Sequence, residues 1–233
     1  MRALPGSASR TSIGDAVAID QEASDKQRRR ILRATGELVA KRGYHDVSVE
    51  LIVKRAHVSF KTFYKHFSGK EEAFIALFDQ VTGEARDGIY AALAAEPDAP
   101  WPQKIVLALR ALFEVILSDP IIARATIVEA PTVGPAIADR YEDATLALQP
   151  LIRLGREWSP RGPRLPETLE ETLAGGVLWS SYQRLIVGEV DRIEALLPEA
   201  IVFVLRSYIG ESEAMRWAKW SEDPAGELPS TTP

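Results

Sequence analysis

The sequence predicts an all-α protein with a small basic head and a larger acidic helical body. Three observations predict it. Apolar residues recur three and four apart along most of the 233 residues, the period of a helix with one buried face. No stretch alternates apolar and polar residues as a half-buried strand would, and no internal repeat is present. The charge divides sharply: residues 25–70 carry twelve Lys/Arg against four acids, net +8, whereas residues 71–233 carry 14 against 26, net −12. The chain's net charge of −5 conceals this split, which is the electrostatic outline of a polyanion-binding head on a separate body.

Residues 1–24, rich in Ala, Ser, Gly and Asp, are expected to form a disordered tail. A helix then opens at Asp25, places Ile31, Leu32, Ala34, Thr35, Leu38 and Val39 on one face, and stops at Gly43. Lys41 and Arg42 suit its last turn, but Arg28, Arg29 and Arg30 lie in its first, where the helix dipole disfavours cations. An external polyanion would offset that misplacement, so these arginines are candidates for DNA phosphates or the minor groove.

The stretch 47–70, VSVELIVKRAHVSFKTFYKHFSGK, reads as two short helices and a tight turn. Ser48 caps the first and Ser59 the second. Val47 with Ile52, and Val58 with Phe63, have the spacing of hydrophobic staples. This is the helix-turn-helix plan, whose second helix enters a DNA major groove. Lys61 and Lys65 on that helix are candidates for base edges or nearby backbone.

A long apolar pattern from residue 70 to about residue 95 predicts one helix able to join two domains, ended by Glu96-Pro97-Asp98-Ala99-Pro100. Pro102–Ser118 is another helix. Asp119-Pro120 restarts a helix that runs to Pro131. A helix over 135–157 is expected to kink at Pro150. Residues 159–166, with three prolines, form a loop. Two strongly apolar helices follow, over 167–188 and 192–209. Gly175-Gly176 in the first permits close helix approach or leaves room for a ligand, and the second needs burial on more than one side. Residues 211–220 add a turn or two of helix around Trp217 and Trp220, and 221–233 are expected to be disordered. The domain boundaries are therefore 25–70 for the helix-turn-helix unit and 71–220 for the body.

Several function classes find no support. The chain has no cysteine, which removes disulfides and thiolate chemistry. The three histidines, His45, His57 and His66, sit in the basic block without metal-ligand spacing. No phosphate-cradling or dinucleotide glycine motif and no nucleophile elbow occurs, so no catalytic residue, metal or cofactor is expected. The opening residues hold no apolar run of signal-peptide length and no stretch is long enough to span a membrane, so the expected location is cytoplasmic.

The head also resembles a known family. Arg42-Gly43-Tyr44, Ser48-Val49, Ala56-His57-Val58-Ser59, Thr62-Phe63-Tyr64-Lys65-His66-Phe67 and Lys70-Glu71 are similar to the DNA-binding domain of the tetracycline-repressor (TetR/AcrR) family, across about residues 27–80. The resemblance implies a homodimeric regulator of a palindromic double-stranded DNA operator, with a small-molecule pocket in each body. It implies pairing of two copies through the helices 167–188 and 192–209. It assigns phosphate contacts to Ser48, Thr62, Tyr64, His66 and Lys70. The sequence departs from the family pattern twice. His57 stands where the turn usually has glycine, and histidine tolerates a left-handed conformation better than most residues. Phe60 stands where a basic or polar residue is usual. Its spacing with Phe63 and Phe67 favours packing, while the family position points to the groove, where an aromatic edge meets a thymine methyl.

For the ligand, Glu129 and Tyr182 are polar residues in apolar settings, and Trp101, Phe113, Tyr141, Trp158 and Trp179 are aromatics able to line a pocket. The expected function is a ligand-responsive repressor released from its operator when a small molecule binds the body. A regulator without an effector, and an all-α enzyme or interaction module, are the alternatives.

Overall fold

The computed structural model describes residues 13–224 and 228–229, and among them it is helical without strands. The first helix, α1 (Ile13–Arg42), is longer than expected. Residues 13–24 belong to it rather than to a tail, and the expectation for 1–12 lies outside the described residues.

α2 (Val49–Ala56) and α3 (Phe60–His66) are capped as the sequence predicts. Ser48 Oγ accepts from Leu51 N at 3.3 Å and Ser59 Oγ from Thr62 N at 3.0 Å. Val47, Ile52 and Phe63 are buried and Val58 is half-buried, so each staple has its partner against the core. His57 adopts φ 50° and ψ 50°, the left-handed conformation the turn requires. Arg30 Nη2 donates to the His57 carbonyl at 2.9 Å, which fixes the turn against α1.

α4 (Lys70–Ala95) is a single helix that serves two interiors. Ala73, Phe74, Leu77 and Phe78 complete the head's core with residues of α1–α3. That core does not end at residue 70: Ile122, Ala125, Ala130, Val133 and Ile137 close it from the body side. The second core gathers α5 (Trp101–Ser118) with the C-terminal helices.

α6 (Pro120–Arg124) starts as expected, with Asp119 Oδ1 accepting from Ile122 N at 3.2 Å. It does not continue as an α-helix to Pro131. Residues Ala125–Glu129 widen into a π turn, followed by a short tight turn at Ala130–Thr132. The cause is Pro131, which has no N–H and whose ring excludes the carbonyl four residues back. That carbonyl belongs to Ile127, and it instead accepts from the Tyr141 hydroxyl at 3.2 Å.

The expected helix over 135–157 is three pieces: α7 (Pro135–Leu146), α8 (Gln149–Arg153) and α9 (Gly155–Trp158). Pro150 lies in the first turn of α8, where a missing N–H costs nothing, so it starts a helix rather than kinking one. Gly155 lets Trp101 in: a Cβ there would lie 2.3 Å from the indole. α10 (Leu169–Val187), a short α11 (Asp191–Glu194), α12 (Leu196–Ile209) and α13 (Glu211–Glu222) complete the body. α13 is a full helix packed on α12 and α5, with Trp217 buried, not a stray turn. Its last residues, 221–222, were expected in the tail. Gly176 serves close approach: a Cβ on it would lie 2.7 Å from the ring of Phe203 on α12.

Candidate DNA interface and effector cavity

The outer surface of the head is set by what its core withholds. Phe63 on α3 and Phe67 at its C-cap turn inward at 0% and 3% exposure, which leaves Phe60 and Tyr64 outward at 50% and 56%. Of the two readings of Phe60, inward packing and an outward position, the structure has the second: it occupies the first position of the helix and is half exposed. Phe60 and Tyr64 stand one turn apart, beside a second stripe made by exposed Lys61 and Lys65. A cationic stripe beside an aromatic one, on a short capped helix, suits a groove with phosphate walls and an apolar-edged floor.

The remaining predicted contacts divide. Ser48 is exposed at the mouth of α2, and the free N–H groups there can receive a phosphate. Ser59 and Thr62 are engaged with each other, with 2.9 Å between their hydroxyl oxygens. Arg29 is exposed. Arg28 lies over the Phe67 ring at 5.6 Å, and Arg30 is the clamp on the turn, so two of the three arginines also hold the head together. Lys70 donates to the carbonyls of Tyr44 and His45, at 3.0 and 3.3 Å, and sits 4.4 Å from the Tyr44 ring centre. Its ammonium thus ties α4 to the turn between α1 and α2 rather than standing clear in solvent. His66 is half-buried with Nε2 unpartnered, and burial, then Lys65 and Arg28, push its pKa below the ordinary value.

The head-to-body junction is polar and specific. Glu37 on α1 accepts from Arg33 and Arg55, each at 2.8 Å, and Arg33 also pairs with Asp119, the cap of α6. Burial raises the Glu37 carboxyl, but hydrogen bonds from both arginines outweigh it and hold the pKa below the ordinary range. Arg124, at the end of α6, donates to the Ala40 carbonyl in the last turn of α1 at 3.1 Å. It also donates to Leu185 and Ile186 at the end of α10, at 2.7 and 3.1 Å. One guanidinium thus joins the carbonyl ends of two helices, where cations are favoured.

The body holds a partly open cavity of about 380 Å³ between α4, α5, the π turn, α7, α8 and α10. Its wall is mostly hydrocarbon, from residues such as Phe78, Ile89, Leu93, Ile127, Leu148 and Val177. Its hydroxyls are committed to backbone carbonyls. Thr82 donates to Phe78 at 2.9 Å, Thr126 to Ile122 at 3.0 Å, Thr145 to Tyr141 at 2.7 Å and Ser181 to Val177 at 3.2 Å. Arg86 is the cation on this wall, exposed, with its Nε 3.8 Å from Asp87.

Of the seven aromatic and acidic residues put forward for a ligand, Tyr141 lines this cavity. Burial raises the pKa of its phenol, as does nearby Tyr182. Trp101 and Phe113 are buried in the second core, Trp101 donating to the Leu151 carbonyl at 2.9 Å. Glu129 turns away from the body towards Gly43, at the junction with the head. Trp179 is 59% exposed and stacked on Tyr182, ring centres 5.2 Å apart, on the outer side of α10. Trp158 packs against the second core. The residues that do form the wall are mostly small or aliphatic, and their helical periodicity is that of any core position. No group of three His, Asp or Glu side chains gathers as a metal site among the described residues, and no helix there is long and apolar enough to cross a membrane.

Comparison with known proteins decides the identity of the head. Residues 31–77 match the model of the family described as bacterial regulatory proteins, tetR family. The head is a tetR-family DNA-binding domain. Among relatives, a segment of 95 residues is 33% identical to the HTH-type transcriptional activator FasR of Mycolicibacterium smegmatis, covering 41% of this chain and 42% of that one. A segment of 89 residues is 30% identical to the fatty acid metabolism regulator protein of Bacillus subtilis, covering 38% of this chain and 45% of that one. The chain therefore matches less than half the length of these relatives. Among solved structures, the fatty acid degradation regulator FadR of Bacillus halodurans shares the fold with a TM-score of 0.65 at 22% identity, over 77% of this chain and 93% of that one. A gamma-butyrolactone receptor aligns over 87% of this chain and 99% of its own, with a TM-score of 0.63 at 16% identity. The tetR-family head is thus joined to a body whose fold recurs among tetR-type regulators.

Proposed function

We propose that this tetR-family protein is a ligand-responsive repressor that leaves a palindromic operator when an apolar small molecule enters the body. One observation carries the proposal: head core and cavity share walls. The α6–π segment gives Ile122 and Ala125 to the head's core and Ala123, Thr126 and Ile127 to the cavity. α4 divides the same way along its length, with Phe74 and Leu77 in the head and Ile89 and Leu93 on the cavity. A ligand that spreads the cavity displaces elements on which the recognition helix rests. It then favours the arrangement with lower operator affinity, a population shift between two states.

The committed hydroxyls favour a hydrocarbon chain, and Arg86 suits an anionic end to it. Fatty acids and their derivatives are the first class to test, since two of the similar proteins are named for fatty acid metabolism or degradation. Two copies pair through α10 and α12: exposed Trp179, Ile186 and Val187 form an apolar face on α10 that a second copy would cover. The protein works in the compartment that holds the DNA.

The test is operator affinity during titration with fatty acids of increasing chain length. Affinity falls as the cavity fills; constant affinity at saturating bound ligand sinks the mechanism. The FasR relative is named an activator, so the opposite sign is the second reading. A reporter gene behind the operator separates the two: deleting the regulator raises expression for a repressor and lowers it for an activator.

A further inference from the structure

The tetR-family head accounts for binding to DNA, not for which sequence is read. We propose that Phe60 reads a thymine methyl group in each half of the operator. The inference rests on the DNA-binding reading and adds a base preference to it.

Four observations lead there. Phe60 is the first residue of α3, directly after the Ser59 cap, in the part of a recognition helix that meets base edges. It is 50% exposed, while Phe63 on the same helix and Phe67 at its C-cap are buried, so the core does not take up its ring. Its position is held: the left-handed His57 sets the direction of the turn, Arg30 grips the His57 carbonyl at 2.9 Å, and Ser59 caps the helix at 3.0 Å. The hydroxyls on either side, Ser59 and Thr62, already face each other at 2.9 Å. The front of the helix therefore presents a fixed hydrocarbon surface rather than a mobile polar one.

Chemistry then selects the base. A phenyl ring neither donates nor accepts a conventional hydrogen bond, so it gains less from guanine, cytosine or adenine edges than from an apolar group. In the major groove only thymine offers an apolar group, its C5 methyl. Lys61 and Lys65 on the adjoining stripe supply the phosphate attraction that brings the ring to the groove floor.

The test begins with selection of binding duplexes from a random pool by the full chain. Each thymine of the selected operator is then replaced by deoxyuridine, which removes only the methyl. One symmetric pair of positions is expected to respond, each by about four-fold, the equivalent of ~0.8 kcal/mol for one buried carbon, so about 15-fold together. Phe60→Ala is expected to bind the thymine operator as the native chain binds the deoxyuridine one, and to ignore the replacement. Phe60→Leu keeps part of the sensitivity. The proposal is overturned if no thymine methyl matters to the native chain, or if Phe60→Ala keeps the full sensitivity. Salt-sensitive, sequence-selective binding without a methyl effect overturns this inference alone. Recovery of no duplex overturns the DNA-binding reading with it.

Discussion

The head and the body fill their interiors in different ways. In the head, Ile31, Ile52, Phe63 and Phe74 are each at 0% exposure, and the buried polar side chain is Thr35, bonded to the Ile31 carbonyl at 2.9 Å. The body leaves about 380 Å³ between its helices and buries a carboxylate, Glu170. A reader of DNA has to present side chains at fixed spacing, which a filled hydrocarbon core does. A sensor needs space that a ligand can change. On the proposed function, this difference assigns reading to the head and sensing to the body, and the shared α4 and α6–π walls are the path between them.

The largest test of the contrast is in the head. Phe63→Ala is expected to cost about 3–5 kcal/mol of stability, because a filled core cannot collapse around the lost ring. Urea denaturation measures it. Ile89→Ala on the cavity wall should cost less, since its side chain already borders empty space. Equal losses would break the distinction.

Acid is the next probe, and it addresses the body. Glu170 accepts from Arg156 Nε at 2.7 Å, Arg156 Nη2 at 3.0 Å and Tyr208 Oη at 2.7 Å. Burial raises its pKa, but these hydrogen bonds outweigh burial and hold it below the ordinary carboxylate value. A depressed native pKa stabilises the fold fully above the ordinary carboxylate range. That contribution disappears as pH falls through the depressed value. Thermal unfolding followed from pH 7 downward should therefore fall in the acid limb, and Glu170→Gln should flatten that limb while lowering stability at neutral pH. An unchanged acid limb in the variant would remove Glu170 from the account.

The smallest expected effect lies on the link itself. Arg124→Met keeps the aliphatic stem but releases the carbonyls of Ala40, Leu185 and Ile186. Operator affinity without ligand should change little. The ligand-induced loss of affinity should shrink by about 0.5–2 kcal/mol, the range of residues that carry coupling without touching either ligand. Paired titrations of operator with and without ligand read this, and an unchanged coupling would mean that α4 alone carries the signal.

Much of the head was legible beforehand because its determinants are local. Ser48 and Leu51, Val47 and Ile52, or Ser59 and Thr62 lie within five residues of one another, so spacing alone puts them in contact. His57 was legible for the same reason, as one residue's backbone preference. The body was legible as helices but not as a site. Trp101, Phe113 and Trp179 have the composition of a pocket, yet they went to the core and to the surface, because a cavity forms where distant helices fail to meet. Pro131 marks a break in α6 by its own chemistry. That the freed Ile127 carbonyl would be taken by Tyr141, fourteen residues on, follows only from where α7 packs.

By itself the sequence determined the all-α class, the capped reader and its charge, because helical period, caps and net charge are properties of neighbouring residues. Only the tertiary structure decided that Phe60 faces outward, that Lys70 holds the turn after α1, that the head's core borrows from α6, and that a cavity opens beside it. Each of those is a choice among partners far apart in the chain. Burial and hydrogen bonding make that choice only when all the helices are in place.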